Sequence, residues 1–129
     1  MFTRDNAPVF DPAALDRLRF PVGAGQVPLV VTTLRLFIET TPKLANDVVR
    51  GLRDSNIEVV RMAAHTLKSN SAIVGAEALA QMAKELEEKA RDGKLEIAAA
   101  SRFEKLYSES VAVLVGVLAS ESRKAGVGG

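Results

Sequence analysis

The chain contains one histidine, His65, and no cysteine. Thiolate nucleophiles, disulfides and cysteine-based metal sites are therefore absent, and the imidazole becomes the leading candidate for side-chain chemistry. Lys68 follows His65 by three residues, Ser69 by four, and Arg61 precedes it by four. On a helix all three lie one turn from the ring. An ammonium at that spacing can offset negative charge arriving on the imidazole, as a phosphoryl group would bring, and Arg61 could assist more weakly. An ordinary exposed imidazole titrates near pH 6.5 and is largely neutral at cytoplasmic pH, which leaves one ring nitrogen free as a nucleophile.

Other chemistries fare poorly. Ser69 beside His65 would need a third orienting group and an oxyanion site to act as a hydrolase nucleophile, and a solvent-facing helix supplies neither. A single histidine with no His-Glu-x-x-His spacing does not build a metal centre. No glycine-rich loop cradles a nucleotide, so self-phosphorylation from ATP is not expected.

The direction of His65 follows from helix phase. At about 100° per residue, Val60, Ala64, Leu67, Ser71 and Val74 gather on one side, with Ala63 extending the stripe, and His65 falls about 150° from its centre. That phase argues against a core histidine and places the ring in solvent. Ser71 points inward and reads as a packing or helix-hydrogen-bonding residue. Ser69 and Ala72 are short and leave His65 standing above its surroundings. Met62 and Ile73 lie toward the exposed side, a pattern useful in a docking patch unless the N-terminal helix covers them.

The elements that hold this face are helical. Of the 129 residues, 47% are apolar but only 5% aromatic, so the core is built from Leu, Val, Ile and Ala, the usual filling of packed helices. Asp11-Pro12 with Leu15 and Leu18 marks a short leading helix outside the main bundle. Pro21, Gly23 and Gly25 break the chain, and a long helix starts near Pro28 and continues, kinked at Pro42, to Leu52. Asp54-Ser55-Asn56 caps the helix that carries His65 to about Val74, with Glu58 in its first turn. Gly75 separates it from a helix ended by Asp92-Gly93. That helix has an outer face pairing Lys84 with Glu88, Glu85 with Lys89 and Glu87 with Arg91, and reads as a solvated surface. A fourth long helix begins near Glu96 and carries Phe103, Leu106, Tyr107, Ser110, Val113, Leu114, Val117 and Leu118 along one side.

These elements predict an all-α antiparallel up-down four-helix bundle with a short extra N-terminal helix. A flexible start over 1–10, a domain over 11–120 and a disordered tail over 121–129 are expected. A formal charge of +1 from 17 basic and 16 acidic residues, with no basic stripe, argues against nucleic acid. No run of residues suits a membrane span or a signal peptide, so the expected location is cytoplasmic.

The string from His65 to Ala76, His-Thr-Leu-Lys-Ser-Asn-Ser-Ala-Ile-Val-Gly-Ala, resembles the signature of the histidine-phosphotransfer (HPt) family, commonly His-x-Leu-Lys-Gly-Ser-Ser followed by Gly-Ala. Phe37 through Leu44, with Thr41-Pro42, is similar to the family's preceding helix, and Leu79 through Leu86 with Glu87 to the following one. The resemblance spans roughly residues 11 to 118. It implies a four-helix bundle with an exposed phosphorylatable histidine on its second long helix. By that resemblance His65 is the phosphoacceptor and Lys68 the phosphate-stabilising lysine. Ser69 stands where glycine is common, a variant that looks like one seen in modules attached to hybrid sensor kinases.

The expected activity is that of a phosphohistidine carrier without kinase activity. It would accept a phosphoryl group from a receiver-domain phosphoaspartate and pass it to another receiver aspartate. No cofactor is expected on this chain, and Mg²⁺ would belong to the receiver's acidic pocket. Arg61, Met62, Ser69, Ala72 and Ile73 are the expected partner surface, on a monomer. Two rival readings share the fold, a docking adaptor that never carries phosphate and a phosphoacceptor domain of a chemotaxis-type kinase. The short leading helix and glycine-rich tail suit a domain excised from a larger hybrid kinase.

Overall fold

Asn56 starts the helix that carries His65: its side chain accepts a hydrogen bond from the Val59 N–H at 3.2 Å, satisfying one of the amides that a helix start leaves free. In the computed structural model, which describes residues 7–127, this helix is the third of five, and the described residues contain no strand. The order is α1 (Ala13–Asp16), α2 (Leu29–Arg53), α3 (Ile57–Ile73), α4 (Glu77–Arg91) and α5 (Ala99–Ala125). The fourth long helix thus starts at Ala99 rather than near Glu96. Glu96 and Ile97 form the turn before it, their carbonyls accepting from the Ala99 and Ala100 amides.

Pro42 lies inside α2 without ending it. Proline removes one helical donor, and the neighbouring Thr41 adds a local bond, its hydroxyl donating to the Phe37 carbonyl at 2.7 Å. With that proton committed, the Tyr107 hydroxyl donates to Thr41 Oγ1 at 2.9 Å, fastening α2 to α5. α3 packs between α2 and α4, while α5 packs mainly on α2 and only lightly on α4. Leu34, Val48 and Leu52 of α2, Val60 and Leu67 of α3, Leu79 and Ala83 of α4, and Phe103 and Leu114 of α5 fill the core. Each large side chain buried there contributes about 1.5–3 kcal/mol relative to exposure. At Gly51 an added Cβ would lie 2.7 Å from Val60 Cγ2, so α2 and α3 approach too closely for any side chain there.

Gly75 ends α3 with φ +81°. Its amide donates to the Ala72 carbonyl and the Ala76 amide to the Ser71 carbonyl, the two bonds of a Schellman cap. The Gly75 carbonyl accepts from the Asp11 amide at 2.8 Å, and the Ala78 amide donates to the Pro8 carbonyl at 2.8 Å. Residues 8–11 therefore run along the α3–α4 junction, and Phe10 packs on the core. The flexible start expected over 1–10 is corrected for residues 8–10, whereas residues 1–6 lie outside the described ones.

The tail expected from residue 121 is corrected as well. α5 continues to Ala125, Glu121 and Ser122 are buried, and Val127 packs against the core, whereas residues 128–129 lie outside the described ones. An ion pair that composition does not reveal ties this end of α5 to the segment after α1. Arg19, just after α1, donates to both oxygens of Glu121 at 2.9 and 3.0 Å. Among the described residues no helix is long and apolar enough to cross a membrane.

Candidate functional site

The buried stripe of α3, made of Val60, Ala63, Ala64, Leu67 and Ser71, turns the opposite side of the helix outward. His65 sits there with its side chain 62% exposed. Phase therefore located the ring correctly.

The feature that the sequence reading missed comes from α4. Leu79, Ala83, Leu86 and Ala90 face the core, and Glu87, four residues after Ala83 and three before Ala90, falls on the same side. Glu87 therefore does not belong to the solvated face on which it was expected: its side chain is only 8% exposed. Its Oε2 lies 2.7 Å from His65 Nδ1, and its Oε1 accepts from Lys68 Nζ at 2.7 Å. The Arg91 guanidinium stands 3.9 Å from Oε2.

This geometry has direct chemical consequences. The Lys68 ammonium, and after it the His65 imidazole, hold the Glu87 carboxyl below the usual carboxylate range, against the upward push of burial. An ionised carboxylate can only accept, so Nδ1 carries the proton in that hydrogen bond. In the neutral ring the unprotonated nitrogen is then Nε2, for which the described residues offer no hydrogen-bond partner. The arrangement presents an oriented nucleophile backed by a buried acid.

The other expected site residues share the outer side of α3 with some redistribution. Lys68 leans toward α4 and is engaged by Glu87. Arg61 donates through Nε to Glu58 Oε1 at 3.1 Å, with a second bond from Nη2 to Oε2, so its charge is matched within its own helix. Ser69 and Ala72 are exposed and small around the ring. Met62 and Ile73 are 59% and 48% exposed, so the N-terminal helix leaves both uncovered. Ile73 borders a surface cavity of about 140 Å³ that continues onto α2 at Leu36, Phe37 and Thr40. Leu36, also exposed, was not anticipated. Ser71 is fully buried as expected from its phase, but its hydroxyl has no hydrogen-bond partner, so the helix-bonding role is not realised.

The Hpt domain family model matches residues 32–112, a span that contains α3, α4, the His65 cluster and most of α2. The chain belongs to the Hpt domain family. Its fold agrees with the crystal structure of histidine-containing phosphotransfer protein B from Pseudomonas aeruginosa PAO1: the two are 25% identical with a TM-score of 0.73, over 88% of this chain and 97% of that one. No curated protein matches the chain. As an Hpt domain it has a histidine phosphotransfer role in a phosphorelay. Among the described residues no cluster of three or more His, Asp or Glu side chains is placed to hold a metal ion.

Proposed function

We propose that His65 is the residue that carries the phosphoryl group, taking it from a receiver-domain phosphoaspartate and handing it to the aspartate of another receiver. The observation that carries this reading is the pairing of an outward His65 ring with the buried Glu87 carboxylate at 2.7 Å on Nδ1, which directs Nε2 toward an approaching phosphorus. Lys68, one turn after His65 and bonded to the same carboxylate as the ring, would turn its ammonium from Glu87 to the arriving phosphoryl oxygens. Mg²⁺ would be supplied by the receiver and would balance charge on the transferring group.

The docking face in this proposal is the outer side of α3, with Met62, Ser69, Ala72 and Ile73 and, more peripherally, Arg61, extended onto α2 by Leu36. Small residues beside the nucleophile let a partner approach closely, while exposed Met62 and Ile73 supply apolar contact area. The four long helices are arranged, in this reading, as an up-down bundle, which keeps the His65 face on one uninterrupted helix surface. The module acts as a cytoplasmic monomer in the proposed relay and serves receivers of response regulators or of a hybrid sensor kinase.

The test is incubation with a phosphorylated receiver domain and Mg²⁺, following acid-labile, base-stable phosphate on the wild type and on His65→Gln. Label confined to the wild type is the expected result. Equal label on both proteins would remove His65 from the role.

A further inference from the structure

We propose that Glu87 sets how readily the phosphorylated ring of His65 releases its phosphoryl group, by keeping the proton on Nδ1 while the bond from phosphorus to Nε2 breaks. The inference rests on His65 being the phosphoacceptor and goes beyond it to the residue that regulates the lifetime of the carrier.

The argument concerns the leaving group. In transfer, an aspartate oxygen of the acceptor forms the new P–O bond, the P–N bond breaks, and its electron pair returns to Nε2. With the proton retained on Nδ1, the group that departs is a neutral imidazole, in the tautomer that the resting site holds. Without that proton it would be an imidazolate, a far poorer leaving group. The Glu87 carboxylate accepts the Nδ1 proton at 2.7 Å and is itself shielded from water. A fixed negative charge at that distance favours the protonated ring more strongly than a neutral acceptor does.

The other charges around the ring do not substitute for it. From α3, Lys68 bonds Glu87 Oε1 and Arg61 is paired with Glu58. From α4, Arg91 stands 3.9 Å from Glu87 Oε2. All three are cations, which disfavour a proton on the ring, so the carboxylate is the one charged group of the cluster that holds it there. Glu87 is accordingly a positioning residue that acts through His65, and the identity of its side chain, charged or neutral, becomes a setting of the relay's speed.

Glu87→Gln separates charge from geometry, because the amide oxygen can still accept from Nδ1. Wild type, Glu87→Gln, Glu87→Asp and His65→Gln would be charged with phosphoramidate, freed of it, and followed by ³¹P NMR from about pH 5 to about pH 9. Both spontaneous loss of phosphohistidine and its transfer to an unphosphorylated receiver with Mg²⁺ would be recorded. The expected result is phosphate on Nε2 in both wild type and Glu87→Gln, with the alkaline limb of the Gln profile displaced about one unit toward acid. Release at pH 8 would then be about tenfold slower in Glu87→Gln, while the two proteins converge near pH 5. Glu87→Asp, which keeps the charge, would follow the wild-type pH profile even where its absolute rates are lower, and it serves as the comparison if the Gln variant does not fold. Superimposed profiles for wild type and Gln, or an Asp profile shifted to acid, would overturn the inference. Charging of His65→Gln to wild-type level would instead overturn the assignment of His65.

Discussion

Glu87 and His65 lie on different helices, 22 residues apart in sequence, and meet at 2.7 Å with one side chain 8% exposed and the other 62% exposed. The buried member thus anchors the exposed one from behind, and the ring is held without being covered. A histidine fixed only by its own rotamer would sample several directions. Removing the anchor should therefore cost rate before it costs affinity. Glu87→Ala is expected to lower phosphoryl acceptance from a phosphorylated receiver by about 10- to 100-fold, by analogy with the loss of a hydrogen-bonded partner behind a metal-bound histidine. Initial rates at saturating receiver measure it. A rate within about twofold of wild type would show that orientation of the ring does not limit transfer.

Acid stability should carry the signature of the two buried carboxylates. Glu87, held down chiefly by Lys68, and Glu121, held down chiefly by Arg19, both have folded-state pKa values below the ordinary value of 4.5. A group depressed in the folded state contributes stability that is present above its unfolded value and is lost as pH falls through its folded value. Wild type should therefore lose thermal stability on acidification below about pH 4.5, and Glu121→Gln should lose less over the same interval. Melting curves from about pH 7 to about pH 3 provide the comparison. Parallel losses in the two proteins would rule out the Arg19–Glu121 pair as a source of acid sensitivity.

The α3–α4 junction depends on Gly75. Its φ of +81° is unfavourable for any side chain by about 1–2 kcal/mol, and an added Cβ would collide with the Asp11 carbonyl oxygen and lie 3.0 Å from Ala14 Cβ. Gly75→Ala must push residues 11–14 away as well as strain the backbone. The expected loss is about 2–4 kcal/mol by urea unfolding. Exchange of the Asp11 amide should accelerate with it. A loss below about 1 kcal/mol would show that the N-terminal segment is easily displaced.

Ile73 tests the docking face separately from the chemistry. It is 48% exposed on the side of α3 that continues to Leu36, so a charge there leaves the core intact. Ile73→Glu should change stability by no more than about 0.5 kcal/mol. It should weaken receiver-driven phosphorylation by about tenfold, through an apolar contact replaced by an unpaired charge. Charging by phosphoramidate, which needs no docking, should be unaffected. Equal losses in both assays would point to damage at His65 rather than at a partner surface.

Much of this molecule was legible because one kind of signal, apolar periodicity, controls it. The phase that buries Val60, Ala64 and Leu67 also exposes His65, and the starts and stops at Asn56, Gly75 and Asp92-Gly93 are local and chemical. What was missed involves polar residues on core-facing positions. Glu87 sits on the Ala83–Ala90 stripe, and its position in phase was the available warning, but pairing it with Arg91 along the helix gave an innocuous surface reading. Glu121 was missed for a different reason: its partner Arg19 is 102 residues away, beyond any pattern visible along the chain, so the end of α5 read as tail. Long-range ion pairs have no periodicity to betray them.

Ser71 offers the cleanest stability test, because it fits the motif yet its hydroxyl does little in the fold. The residue is fully buried in α3, and Oγ makes no hydrogen bond. A buried hydroxyl without a partner costs about 1–3 kcal/mol, and alanine is a better helix former than serine by about 0.5 kcal/mol. Against this stands the small packing loss from removing one oxygen. Ser71→Ala should therefore raise stability by about 1 kcal/mol, equivalent to roughly 3–5 °C in Tm for a domain of this size. Phosphotransfer should be unchanged, since Ser71 points away from the ring and touches neither Glu87 nor Lys68 through a hydrogen bond. A fall in Tm would mean that the hydroxyl finds a partner in solution, with the Leu67 carbonyl one turn back as the nearest acceptor on its own helix. A fall in transfer rate at unchanged stability would give Ser71 a part in positioning α3 that its burial alone does not explain.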